Sequence, residues 1–201
     1  MRVPSLALLA AAAVLVAGPA CAAELIRSPG AAPAISDRRP VIFLGGSIEM
    51  GNAPDWQAAF ARSLDDLDVV LLNPRREDWN PAWKPVAEDP NFRAQVEWEL
   101  AALERSDIIV IYLAPGTQSP ISLLELGLYA RSGRLVVLAP EGFWRKGNVD
   151  ITAQRYGARR VSSLEELAAV ARERATALAA QRLEALQPAE RLKARQPAER
   201  R

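Results

Sequence analysis

The sequence predicts a three-layer α/β domain built on a parallel sheet, and three observations predict it. Short apolar runs recur along the chain, with stretches of helical periodicity between them. Each run is apolar at successive rather than alternate positions, as strands covered on both faces require. Half of the 201 residues are hydrophobic, enough to bury such a sheet.

Taken in order, residues 1–22 read as an export signal. Arg2 gives a positive start, Leu6 to Ala17 is an apolar run too short for a membrane span, and Ala20-Cys21-Ala22 fits a small-x-small cleavage site. The expectation is an exported protein, periplasmic or secreted, with no membrane span after cleavage. Cys21 at the junction leaves a lipoprotein anchored through that residue as the alternative. Residues 23–38, rich in Pro, Ala and Gly, read as a linker.

The domain is expected over residues 39–178. Val41 to Gly45 reads as the first strand, and Pro54 to Leu67 as a helix with Pro in its first turn. Asp68 to Leu72 is a second strand. A long loop from Asn73 to Asp89 follows, carrying Trp79, Trp83 and several prolines. Pro90 to Arg105 is a helix, Asp107 to Leu113 a third strand, Ser119 to Ser132 a helix and Leu135 to Ala139 a fourth strand. A fifth strand lies near Arg159 to Val161. Ser163 and Glu166 have capping-box spacing at the start of a last helix that runs to about Gln187. Five strands suggest a flavodoxin-like order, with ligands bound outside the C-terminal strand ends. Residues 179–201, with six Lys and Arg against three Glu, read as a basic helical or disordered tail.

Composition narrows the chemistry. With no histidine there is no Ser-His-Asp triad, Cys-His dyad or His-ligated metal. One cysteine rules out an intramolecular disulfide, a CxxC pair and a Cys-rich zinc site. Neither a metal nor a cofactor is expected, and acid–base work falls to Asp, Glu, Lys, Tyr or water. A formal net charge of +1, without basic residues interleaved with aromatics, gives no reason to expect nucleic acid.

Candidate site residues lie in the loops after the strands. Gly45, Gly46 and Ser47 follow the first strand, where the backbone amides could hold an anion or a hydroxyl, or simply make a tight turn. Asn73, Arg75 and Trp79 follow the second; Trp79 could stack on a planar base and Arg75 fork onto oxygens, or both belong to a surface cluster. Gly116, Thr117 and Ser119 lead into a helix in which Glu125 is embedded among Ile121, Leu123, Leu124, Leu126 and Leu128. Burial raises the pKa of such a carboxylate unless a partner holds it, Arg131 and Arg134 being the candidates. Glu97 and Glu99 are two apart, so at most one of them faces the site. Asn148 and Asp150, with Trp144, look like ligand recognition after the fourth strand.

Together GGSIEMG (from Gly45), NPRR (from Asn73), FRAQVEWEL (from Phe92), SPISLLELG (from Ser119) and GFWRKGNVD (from Gly142) resemble the nucleoside 2-deoxyribosyltransferase-like family over roughly residues 40–160. The resemblance implies a flavodoxin-like fold and N-glycosidic chemistry on a small nucleoside-like substrate, in homo-oligomers where a neighbour can complete the site. It places Glu125 of LLELG on the nucleophile that forms a covalent glycosyl-enzyme, with Glu99 as the acid that protonates the leaving base. Such a carboxylate mechanism needs neither His nor metal. Where other members have a tyrosine on the first strand this chain has Phe43, and Ser119 stands where they have an aspartate. Pro115-Gly116-Thr117 followed by Glu125 is also loosely similar to the PGGxGTxxE signature of cytokinin-activating phosphoribohydrolases, with a longer spacing. That makes a nucleoside-monophosphate N-glycosidase one alternative. A non-enzymatic module that senses or carries a nucleotide-like ligand is the other.

Overall fold

The computed structural model describes residues 22–194 except Ile35 and Asn52, without the side chains of Met50 and residues 187–194. The expected export signal and the last residues of the tail lie outside the described residues. Six parallel strands form one sheet: β1 (Glu24–Arg27), β2 (Val41–Gly46), β3 (Val70–Asn73), β4 (Ile108–Tyr112), β5 (Leu135–Leu138) and β6 (Arg159–Val161), in the order β1-β3-β2-β4-β5-β6. Five α-helices alternate with them among the described residues: α1 (Trp56–Arg62), α2 (Pro90–Arg105), α3 (Pro120–Tyr129), α4 (Lys146–Tyr156) and α5 (Leu164–Ala194).

The apolar runs become central strands because each residue pair sends one side chain to either face. Val41, Phe43, Ile109, Ile111, Leu135 and Val137 build one core with Leu103 of α2, Leu126 of α3 and Val149 of α4. Ile42, Leu44, Val110 and Val136 build the other with Trp56 and Phe60 of α1 and Leu167 and Ala171 of α5. Burying each large side chain stabilises the fold by about 1.5–3 kcal/mol. Three layers result, with the strand order of flavodoxin-like folds plus one edge strand.

That edge strand corrects the expected five-stranded sheet and the linker. Glu24–Arg27 falls in the segment expected as linker, yet it pairs with β3 in parallel, Leu25 opposite Leu71 and Ile26 opposite Leu72. Its charged ends suit an edge, where they blunt pairing with other chains. Helix α1 stops at Arg62, short of the expected Leu67, because Ser63 donates its hydroxyl to the Phe60 carbonyl. Arg172 of α5 then binds the Ser63 carbonyl and Asp66. The segment from Gly142 to Asp150 is expected to serve ligand recognition after the fourth strand, but Lys146 onward is α4. Val149 and Ala153 are its buried residues, and Gly157 ends it with φ +75°. Helix α5 continues past the expected Gln187 to Ala194.

The chain leaves β2 toward β3 on one side, and β4 lies on the other. The loops after β2 and β4 therefore part at the switch point, the position where open α/β sheets hold ligands.

Candidate active site

Helix α3 places Glu125. Helical spacing sets which face turns inward: Ser122, Glu125 and Leu126 are buried, while Ile121, Leu124 and Leu128 face outward. Glu125 is thus carried into the protein, 6% exposed, as the inward face of a helix packed on β2. Its carboxylate lies over Gly45, where a Cβ would stand 3.4 Å from Oε2 and 3.0 Å from Phe43. A side chain at that position would push on the carboxylate. Gly46 is more tightly fixed: a Cβ there would meet the Tyr112 carbonyl at 2.2 Å, so only glycine fits against β4.

Burial first, and then the nearby charge of Glu99, push the Glu125 carboxyl up to about 8. Arg131 and Arg134 do not relieve it. The first lies over the Tyr156 ring and the second over Tyr129, with its guanidinium donating to the carbonyls of Leu103, Glu104 and Ser106. Glu99 is half-buried on α2, and burial raises its pKa too, opposed by a hydrogen bond from Gln95 Nε2 at 2.8 Å. Glu97 turns outward to Arg93.

Gln95 is buried and ties Glu99 to the loop after β3. Its Nε2 also donates to the Pro74 carbonyl at 3.1 Å, and its Oε1 accepts from Ser28 and from Arg76. Arg76 in turn lies over Trp83 and pairs with Asp78, and Trp83 meets Trp79 edge to face at 5.2 Å. Trp79 is 37% exposed. Asn73, at the end of β3, accepts from the Arg75 amide. The Arg75 guanidinium donates to the carbonyls of Gly51, Ala53 and Pro54, so it braces the neighbouring loop.

Across the crevice, three buried hydroxyls close a ring: Ser47 to Thr117 at 2.7 Å, Ser47 to Ser119 at 2.6 Å and Thr117 to Ser119 at 3.1 Å. Thr117 donates to the Ala114 carbonyl and the Ala114 amide donates to Ser47. The ring joins the loop after β2 to the loop after β4. Gly116 sits in the second loop, its amide on the Gly142 carbonyl. Outside it, the Trp144 indole N–H donates to the Gln118 carbonyl.

Glu49 completes the link. Its Oε1 accepts the backbone amides of Gln118 and Ser119 at 3.0 and 3.1 Å. Both Glu49 and Ser119 hold positive φ, 47° and 46°. The sequence reading missed Glu49, because loop contact and backbone reversal leave no periodic signal. Gln95 was missed too, although its place four residues before Glu99 puts both on one helix face. Gln57 was missed as well: it is fully buried at the start of α1, and its amide has no partner among the described residues.

Asn148 and Asp150 fall on α4 and not on a loop. Asn148 is exposed beside Trp144 and Gly127. Asp150 is held by Lys146 and Arg160, lining a separate cleft beside β6. The helix that the low-propensity sequence hid has turned them away from each other.

Fold and site thus define a flavodoxin-like domain carrying a carboxylate pair and two interlocked loops at the switch point. The profile of the family described as nucleoside 2-deoxyribosyltransferase like matches residues 39–143, and the chain belongs to that family. A crystal structure of a conserved protein from Enterococcus faecalis V583 has the same kind of fold. It shares 18% identity, covers 68% of this chain and 99% of its own, with a TM-score of 0.51. No curated protein matches.

Proposed function

We propose that the protein cleaves or transfers the N-glycosidic bond of a nucleoside-like substrate through a covalent glycosyl ester on Glu125. One observation carries this reading: Glu125 and Glu99, borne by adjacent helices, are electrostatically coupled and have no cationic partner among the described residues. A buried pair that repels shares one proton near neutral pH and titrates as a unit.

In the first half-reaction a Glu125 oxygen attacks the anomeric carbon. The bond to the base breaks, its electron pair leaves on the base nitrogen, and Glu99 protonates that nitrogen. In the second, Glu99 takes a proton from an incoming base or from water. That nucleophile attacks the anomeric carbon and frees the Glu125 carboxylate. Attack requires Glu125 ionised and the shared proton on Glu99. Gly45, Gly46 and Gly116 leave backbone near the sugar, while the hydroxyl ring of Ser47, Thr117 and Ser119 holds the two loops in register. Trp79 offers a planar face to the base.

The test is the intact mass of the protein after incubation with mixed nucleosides and deoxynucleosides. A sugar-sized gain is expected, absent in Glu125→Ala. An unchanged mass together with tightly bound, unaltered ligand would replace the enzyme with a binding module. A gain that persists in Glu125→Ala and vanishes in Glu99→Ala would exchange the two roles.

Two further proposals accompany this reading. The exposed apolar residues Ile121, Leu124 and Leu128 on α3 support a homo-oligomer. No helix among the described residues is long and apolar enough to cross a membrane, and residues 1–22 direct export. The N-terminal sequence of the protein recovered outside the cytoplasm would show Ala23 first, or a lipidated Cys21.

A further inference from the structure

The hydrogen bonds behind Glu99 lead back to an edge of the sheet that the proposed chemistry does not use. We propose that Ser28, just past β1, is a positioning residue for the acid: its hydroxyl holds the Gln95 amide so that an N–H, and not the amide oxygen, faces Glu99. The inference rests on the acid role proposed for Glu99 and deepens it.

Three features support it. The first is the bonding of the Gln95 amide. Its oxygen accepts the Ser28 hydroxyl at 2.6 Å and Arg76 Nη1 at 3.3 Å. Its nitrogen donates to the Pro74 carbonyl at 3.1 Å and to Glu99 Oε1 at 2.8 Å. Both N–H groups and both lone pairs are thus spent. Turning the amide over would set its oxygen against the Pro74 carbonyl and the Glu99 carboxylate, and its N–H groups against a guanidinium. Of the two bonds to the amide oxygen, Ser28 makes the shorter. A donor on that oxygen also polarises the amide, which strengthens the N–H given to Glu99.

The second is that Ser28 is itself held. It is 4% exposed. Its amide donates to the Asn73 carbonyl at 3.0 Å and so continues the pairing of β1 with β3. Two residues on, the Gly30 carbonyl accepts the Trp98 indole N–H at 2.7 Å, from the turn of α2 that follows Gln95. Helix α2 therefore grips this segment at Ser28 and again at Gly30, and the hydroxyl reaches Gln95 from a fixed backbone.

The third is the surrounding charge. Glu125 of α3 is coupled to Glu99, and Glu97 turns away to Arg93. In the loop after β3, Arg76 is paired with Asp78, and Arg27 of β1 lies 3.6 Å from Glu77. Neither guanidinium takes the Glu99 carboxylate. Among the described residues, the effect of burial on Glu99 is opposed by the Gln95 N–H. Whatever aims that N–H sets how tightly Glu99 keeps its proton.

The experiment uses the full chain. The alkaline limb of the pH–rate profile is measured on nucleosides. The Glu99 midpoint is read directly by carboxyl NMR of glutamate-labelled protein carrying Glu125→Gln, where Glu99 titrates without its coupled neighbour. Ser28→Ala is expected to raise both by about half a pH unit, roughly a threefold tighter hold on the proton. Ser28→Thr keeps the hydroxyl and should restore them. Ser28→Cys, a weaker donor, should fall between. Because Ser28 acts through Gln95, Ser28→Ala should add nothing to Gln95→Leu. Unmoved midpoints in both Ser28→Ala and Ser28→Cys would overturn the inference even where the melting temperature falls, since a merely structural role gives that result. A Ser28→Ala shift that recurs undiminished in Gln95→Leu would overturn it as well. If no nucleoside is turned over, the glycoside reading fails, and the NMR midpoints alone decide the role of Ser28.

Discussion

Around Glu125, one carboxylate is buried over Gly45 and a half-buried second, Glu99, acts on it, neither paired with a cation among the described residues, whereas in the cleft between α4 and β6 each lining carboxylate has one. There Asp150 meets Lys146 at 2.5 Å and Arg160 at 3.4 Å, Glu166 meets Arg159 at 3.2 Å, and Glu141 lies 3.7 Å from Lys146. The shifts have opposite signs. The Lys146 hydrogen bond holds Asp150 below the usual carboxylate range, and the Ser162 amide does the same for Glu166, while burial drives Glu125 and Glu99 upward. Satisfied charges consolidate structure. Unsatisfied ones are retained against stability, and they are where chemistry is to be sought.

Breaking the crevice side of this comparison should have the largest effect. Glu125→Gln is expected to lower base release by roughly 10⁴-fold or more, read as kcat/KM on nucleosides. The same substitution should stabilise the fold. Because the folded state holds the Glu125 proton up to about 8 and the unfolded chain releases it near 4.5, wild-type stability falls as pH rises between those values. Denaturant melts at pH 5 and pH 8 should show that fall shrinking in Glu125→Gln by about 2–4 kcal/mol.

Gln95→Leu sharpens the comparison, since it removes the donor that favours ionised Glu99 among the described residues. The alkaline limb of the pH–rate profile, where Glu99 loses the proton it must donate, should move to higher pH, from the loss of a hydrogen bond to a charged group. On the outer side of α3, Leu124→Glu places a charge on the exposed apolar face and should lower the mass measured by light scattering to that of a single chain. The smallest effect belongs to the paired side. Asp150→Asn should cost about 0.5–1 kcal/mol at pH 7 with base release unchanged. Asp150 contributes stability above its unfolded pKa and loses it as pH falls through its lowered folded value, so the cost should vanish in acid.

How much of this was legible follows from how local each cause is. Helix α2 was readable to both ends because Asp89 caps it and Pro90 opens it. The central strands were readable because burial on both faces leaves continuous apolar runs. Helix α4 was not: its sequence has Gly, Asn and β-branched residues, only Val149 and Ala153 anchor it, and no side chain caps its start. Strand β1 was hidden by four residues with charged ends. Glu125 showed itself as a carboxylate inside an apolar helical pattern. The reach of Glu49 did not, for it depends on two positive-φ residues brought together by loops 69 and 70 residues apart in sequence.

Strand β1 also bears on the proposed export of the young chain. The Ala23 amide already bonds to the Asp65 carbonyl and the Glu24 amide to Val69. A peptidase needs an open, extended chain on either side of the bond it cuts. The proposed removal of a leader after Ala22 would therefore compete with zipping of the sheet edge, and a chain that folds first would shield the bond to be cut.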